Sequence, residues 1–97
     1  MPTYILLSRF TPQGLQNIKD GPARVKAARR TFKGLGAELK DFYLVTGQYD
    51  AVVVIEAPDD ETVAKASMAI GSQGNVRIET LRAFSEDQYR DLVAALP

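Results

Sequence analysis

Histidine, cysteine and tryptophan are all missing from these 97 residues. Without cysteine there is no disulfide, no thiolate nucleophile and no cysteine-ligated metal. Without histidine, the commonest metal ligand and the commonest general base near neutral pH are gone as well. No cofactor or metal is therefore expected. A charge excess is also lacking, because Lys+Arg and Asp+Glu both number 12. A dedicated nucleic-acid binder draws its affinity from a basic excess, so no nucleic-acid partner is expected. A neutral chain also lacks the self-repulsion that keeps copies apart. No apolar run approaches the roughly 18 residues that span a bilayer, so no membrane partner is expected either. The opening Met1-Pro2-Thr3-Tyr4-Ile5-Leu6-Leu7 has no basic leader and no cleavage site, and reads as a strand. The cytoplasm is the default compartment.

What is present is an ordinary globular composition, 45% hydrophobic and 25% charged. The length suits one domain spanning residues 1–97. Thr3 to Phe10 reads as a first strand, stopped by Thr11-Pro12, with Thr11 as a helix N-cap. The helix that follows should break at Asp20-Gly21-Pro22 and restart, because proline removes a backbone donor. From Pro22 to Leu35 the residues Val25, Ala28, Phe32 and Leu35 share a helical face. Glu38 to Thr46 and Tyr49 to Ala57 read as strands joined by a two-residue hairpin at Gly47-Gln48. Asp59 caps a helix whose narrow stripe is Val63, Ala66, Ser67 and Ile70. Gly71 and Gly74-Asn75 end that helix, and Val76 to Phe84 is the last strand. Ser85 to Gln88 spells a capping box for a final amphipathic helix through Leu96.

Strand, helix, strand, strand, helix, strand is the split βαβ order of the ferredoxin-like fold. The expected class is α+β: βαββαβ with an extra C-terminal helix and a four-stranded antiparallel sheet. Both parities of the middle strands are apolar, with Leu6, Val53 and Ile55 on one side and Ile5, Leu7, Val52 and Val54 on the other. A sheet with one wet face would alternate instead. The helices between the strands cover one side. A partner sheet is the expected cover for the other, giving a homodimer or higher oligomer, with the C-terminal helix as the alternative cover.

Several polar residues are candidates for chemistry. Tyr49 and Asp50 start a central strand, where Asp50 suits a general base and Tyr49 a substrate-orienting phenol. The competing reading gives Asp50 to loop amides and makes Gly47 a turn glycine. Gly71-Ser72-Gln73-Gly74-Asn75 has two glycines, as anion-binding loops do, but matches no phosphate-binding spacing, so capping is preferred. Arg77 and Glu79 share one parity of the last strand, Thr80 and Arg82 the other. With Arg9 and Glu56 they suit a charged cleft or a salt-bridge network, the latter preferred. Lys26, Arg29, Arg30 and Lys33 form a basic helix face, read as solvated.

The stretches Gly47-Gln48-Tyr49-Asp50-Ala51, Glu56 to Glu61 and Gly71 to Phe84, with Tyr4 to Leu7 and Phe10-Thr11 at the start, resemble the GYD domain family. The resemblance spans nearly the whole chain; one departure is Ile78, where threonine is expected. It implies a dimeric α+β barrel, in which two ferredoxin-like sheets pack face to face. Relatives in that wider group include cofactor-free monooxygenases, muconolactone isomerases, haem-binding chlorite dismutases and ligand-sensing regulatory domains. The haem-ligating histidine has no counterpart here. The leading expectation is a small-molecule-binding or sensing oligomeric module, with Asn75, Arg77, Arg82 and Arg9 as candidate ligand contacts. One alternative is a cofactor-free isomerase or monooxygenase with Asp50 as base, Tyr49 and Asn75 orienting substrate, and Arg77 or Arg82 stabilising an anion. A purely structural oligomerisation domain is the other.

Overall fold

Alternating large apolar side chains make Thr3–Phe10 a strand, β1, and the computed structural model, which describes residues 1–97, ends it at Thr11 as expected. The Thr11 side chain accepts from the Gly14 N–H and opens a one-turn helix, α1, over Pro12–Gln16. A short 3-10 turn at Ile18–Asp20 marks the expected break, and α2 runs over Gly21–Gly34 with Phe32 fully buried. The remaining elements are β2 (Glu38–Leu44), β3 (Ala51–Glu56), α3 (Asp60–Gly71), β4 (Val76–Ala83) and α4 (Glu86–Ala94). The strands form one antiparallel sheet in the order β2-β3-β1-β4, so β1 and β3 are central and β2 and β4 lie at the edges.

The hairpin differs from expectation. β2 stops at Leu44 and β3 starts at Ala51, so the connection is Val45–Asp50 rather than two residues. Asp50 is tied to both neighbours: its carbonyl accepts from the Val45 N–H at 2.9 Å, its N–H donates to the Ser8 carbonyl at 2.8 Å, and its carboxylate accepts from the Phe10 N–H at 2.9 Å. Gly47 sits at φ +124°, which a side-chain-bearing residue rarely adopts. A second departure is a β-bulge between Leu39 and Asp41. Leu39 lies opposite Ile55 on the helix side, while Asp41 and Tyr43 lie opposite Val54 and Val52 on the other side. The extra residue, Lys40, resets the alternation that the sequence alone implies for this strand.

α2 packs on β2 and on α3, and α3 packs on β4. Under these helices lie Tyr4, Leu6, Val53, Ile55, Ala57, Phe32, Val63 and Ala66, the core of the molecule. The opposite face of the sheet carries no element of the chain. Ile5, Leu7, Val52 and Val54 are half-exposed there, and Leu81 and Tyr43 are exposed. The C-terminal helix does not supply the cover. No residue of α4 is buried, and α4 packs substantially against no other element. It projects, which is why the molecule measures 51 × 31 × 18 Å with a radius of gyration of 14.6 Å. A compact chain of this length would have a radius near ~12.5 Å. No helix is long and apolar enough to cross a membrane.

Candidate functional site

The register of the sheet sorts the candidate residues into three places. At one end of the uncovered face, Arg9 on β1 stands directly opposite Arg77 on β4, and Leu7 opposite Glu79. The hairpin brings Tyr49 and Gln48 to the same end. The Tyr49 hydroxyl donates to the Glu79 carboxylate at 2.6 Å. The Arg9 guanidinium lies 4.7 Å above the Tyr49 ring, and its Nε donates to the Gln48 carbonyl at 2.7 Å. The hydrogen bond to Glu79 favours the protonated phenol, so Tyr49 titrates above its ordinary value; partial desolvation and the Glu79 charge push the same way. Two like charges in register repel unless something between them is anionic. Arg9 is engaged by Tyr49 and Gln48. Arg77 makes no ion pair and no side-chain hydrogen bond within the chain, and is exposed. The apolar floor beside this cluster is Leu7, Val52, Ile5 and Val54.

Arg82 is elsewhere. Its parity puts it opposite Tyr4 on the helix side and at the other end of β4. It lies 5.6 Å from the Tyr4 ring and 4.4 Å from the Phe84 ring. The Tyr4 hydroxyl donates to Asp60, and that bond leads the causes that raise the Tyr4 pKa, with burial next. Pro2, Asp59 and Glu61 complete an open groove around this pair. Asp59 is held below the usual carboxylate range by the Thr62 hydroxyl and N–H that it accepts from as an N-cap. No cluster of carboxylates assembles into a metal-binding group.

Asn75 is in the third place, clasped to α1. Its backbone carbonyl accepts from Thr11 N–H at 3.1 Å, and its side-chain oxygen accepts from Gln13 at 3.1 Å. The Thr11 hydroxyl donates to the Gly74 carbonyl at 2.6 Å, and the Gln13 amide also donates to the Gln73 carbonyl. Gly14 is buried beneath this loop; a Cβ there would meet the Asn75 oxygen at 2.1 Å. The 71–75 loop thus turns its carbonyls toward donors of α1, the opposite polarity to an anion cradle. Arg9, Arg77, Arg82 and Glu56 do not converge into one cleft: Arg9 and Arg77 share an end of the open face, Glu56 lies at its far end opposite Thr3, and Arg82 is on the other face. Parity within β4 already separates Arg77 from Arg82. The partnership of Tyr49 with Glu79 depends on which strand neighbours β1, which no local pattern specifies. Tyr4 with Asp60, 56 residues apart in the chain, gave no sequence signal at all.

The family model of the GYD domain matches residues 4–93. The chain belongs to the GYD domain family. A Thermus thermophilus protein named glutamine synthetase and cystathionine beta-lyase binding protein is 37% identical over 97 residues, covering 99% of each chain. Among solved structures, one from Thermus thermophilus has a TM-score of 0.56 at 30% identity, covering 88% of this GYD domain and 95% of the other chain. The feast or famine regulatory protein of M. tuberculosis complexed with L-methionine has a TM-score of 0.64 at 18% identity. This GYD domain is covered over 91% of its length and spans 55% of that regulator, so the likeness is one of fold. The leucine response regulatory protein of M. tuberculosis is similar in the same way, with a TM-score of 0.61 at 19% identity, covering 89% and 54% of the two chains.

Proposed function

We propose that this GYD domain is a homodimeric binding module, in which two uncovered sheet faces close on each other and hold a small ligand between them. The observation that carries the reading is the uncovered face: an apolar floor of Ile5, Leu7, Val52 and Val54 ending in Arg9, Tyr49, Glu79 and the unpaired Arg77. Core side chains occupy the space between sheet and helices, and the open face offers an apolar surface for a ligand. An apolar floor with a cation and a carboxylate at one end suits a zwitterion with an apolar body, the chemistry of an amino acid. Arg77 takes the carboxylate and Glu79 the ammonium group. The methionine in the complexed regulator of like fold supports that ligand class.

A general-base role for Asp50 is less supported. Its carboxylate pins the end of β1 through the Phe10 N–H, which is the loop-amide role. Docking on an enzyme is a second reading, favoured by the name of the 37%-identical relative; the sheet dimer is common to both. Light scattering and calorimetric titration with a panel of amino acids test the proposal. A dimer that binds an apolar amino acid, and loses it on Arg77→Ala, is the expected result. A monomer at all concentrations, or a dimer that binds none of the panel, overturns it.

A further inference from the structure

We infer that α4 is an exchanged arm that docks on the second copy of this chain, beside the partner's β2 and against the basic face of the partner's α2. The inference rests on the face-to-face dimer proposed above and accounts for what that dimer leaves open.

A nine-residue helix is shorter than the roughly 12–15 residues at which isolated helices become even marginal in water, so α4 depends on packing for its stability. Its own body provides little. Tyr89, Leu92 and Val93 on one side of α4, with Leu96 just beyond its end, are between 48% and 68% exposed, and Phe84 just before it is 54% exposed. A contiguous apolar surface of this kind marks an interface.

Topology says where the arm goes. β4 is an edge strand, and only Phe84 and Ser85 separate it from α4. If the two-fold axis of the proposed dimer runs along the strands, the order β2-β3-β1-β4 brings each β4 edge over the partner's β2 edge. α4 then emerges beside the partner's β2, over which α2 is packed.

Charge says the same. α2 contains Arg24, Lys26, Arg29, Arg30 and Lys33 and no acid. Arg24 is spent on the carbonyls of Asn17 and Gly14, but the other four are exposed and without ion pairs. α4 carries Glu86, Asp87 and Asp91 against one base, Arg90. Arg90 pairs with Glu86 and Asp87, which leaves Asp91 without a basic partner in its own chain. The neutral total charge therefore conceals one uncompensated basic helix and one net-acidic helix that do not touch within a subunit. A second copy brings them together, twice, by symmetry.

The test is the dimer dissociation constant of the full-length chain by sedimentation equilibrium. Leu92→Glu with Leu96→Glu is expected to weaken dimerisation by about tenfold or more, with the circular dichroism of the body intact because α4 contributes nothing to the core. Asp87→Lys with Asp91→Lys, or Arg29→Glu with Arg30→Glu, should each weaken it several-fold. Both reversals combined in one chain should restore it to within about twofold. In a mixed sample, a spin label on Ala94→Cys, placed cleanly because the chain has no cysteine, should broaden the α2 amides of an isotope-labelled unmodified subunit. A wild-type dimer whose constant none of these changes moves overturns the arm and leaves the sheet dimer standing. Single charge reversals that weaken it without mutual rescue overturn the α2 docking position. A wild-type monomer overturns the dimer reading, and the arm with it.

Discussion

Val53 and Val54 are neighbours of the same type in the same strand, yet one is buried under helices and the other half-exposed on a bare face. The two faces of this sheet are nearly equal in composition and opposite in circumstance. On the helix side, Tyr4, Leu6, Val53 and Ile55 of β1 and β3 are packed into the core of their own subunit. On the open side, Ile5, Leu7, Val52 and Val54 have only one another and their cross-strand neighbours Leu81 and Tyr43, with no helix above them. Side-chain type therefore does not say which face is the core. What decides is the handed return of the helices, which can cover one face only.

Substitutions can break this contrast. The largest effect is expected for Ile55→Ala, at a fully buried position, costing about 2–5 kcal/mol in urea unfolding at any protein concentration. Val54→Ala, one residue away, should cost about 1 kcal/mol in dilute protein and, under the proposed sheet dimer, more as concentration rises. Equal, concentration-independent costs would mean that the open face is not an interface. Next comes Gly14→Ala, where the new Cβ collides with the Asn75 carbonyl; a loss of about 1–3 kcal/mol is expected by the same measurement. Asp50→Ala should cost about 1–2 kcal/mol by orphaning the Phe10 N–H, whereas Asp50→Asn keeps an acceptor oxygen and should cost less. If both variants behave alike, the clasp contributes little.

The smallest effect is a titration. Tyr49 is held above its ordinary value by Glu79, so its protonated form stabilises the folded state below the free-tyrosine pKa, and that contribution fades as pH rises through the elevated one. Glu79→Gln should bring Tyr49 back toward ordinary tyrosine in an ultraviolet titration. No change on that substitution would remove Glu79 as the cause.

Local signals carried most of the fold. β1 ends at Phe10, the helix breaks at Asp20–Gly21 and Ser85 with Gln88 forms its capping box as the residues imply, because turn and cap chemistry is local. The ferredoxin-like order follows from those boundaries. The bulge at Lys40 and the lengthened hairpin were not legible, since both answer to partners across the sheet: Ile55 and Val54 for the first, Ser8 and Phe10 for the second. The same limit applied to the site. Arg9, Arg77 and Tyr49 stand out in the sequence, but only the β1–β4 register and the Tyr49–Glu79 hydrogen bond show that they share an end and that Arg82 does not. Asn75 stood out as a loop residue, yet its carbonyl is committed to Thr11 at the head of α1, far back in the chain, a contact no spacing announces.

The irregularity at Lys40 also bears on the interval before a new chain meets another. A lone subunit presents β2 as a free rim, and an unbroken rim recruits strands from any chain that passes, extending without limit. By interrupting the ladder between Leu39 and Asp41, the extra lysine shortens the stretch that can be copied and sets a charge within it. The bulge thereby works against fibrous growth from this rim, and deleting Lys40 should raise the tendency to form fibres, read by a fibril-binding dye.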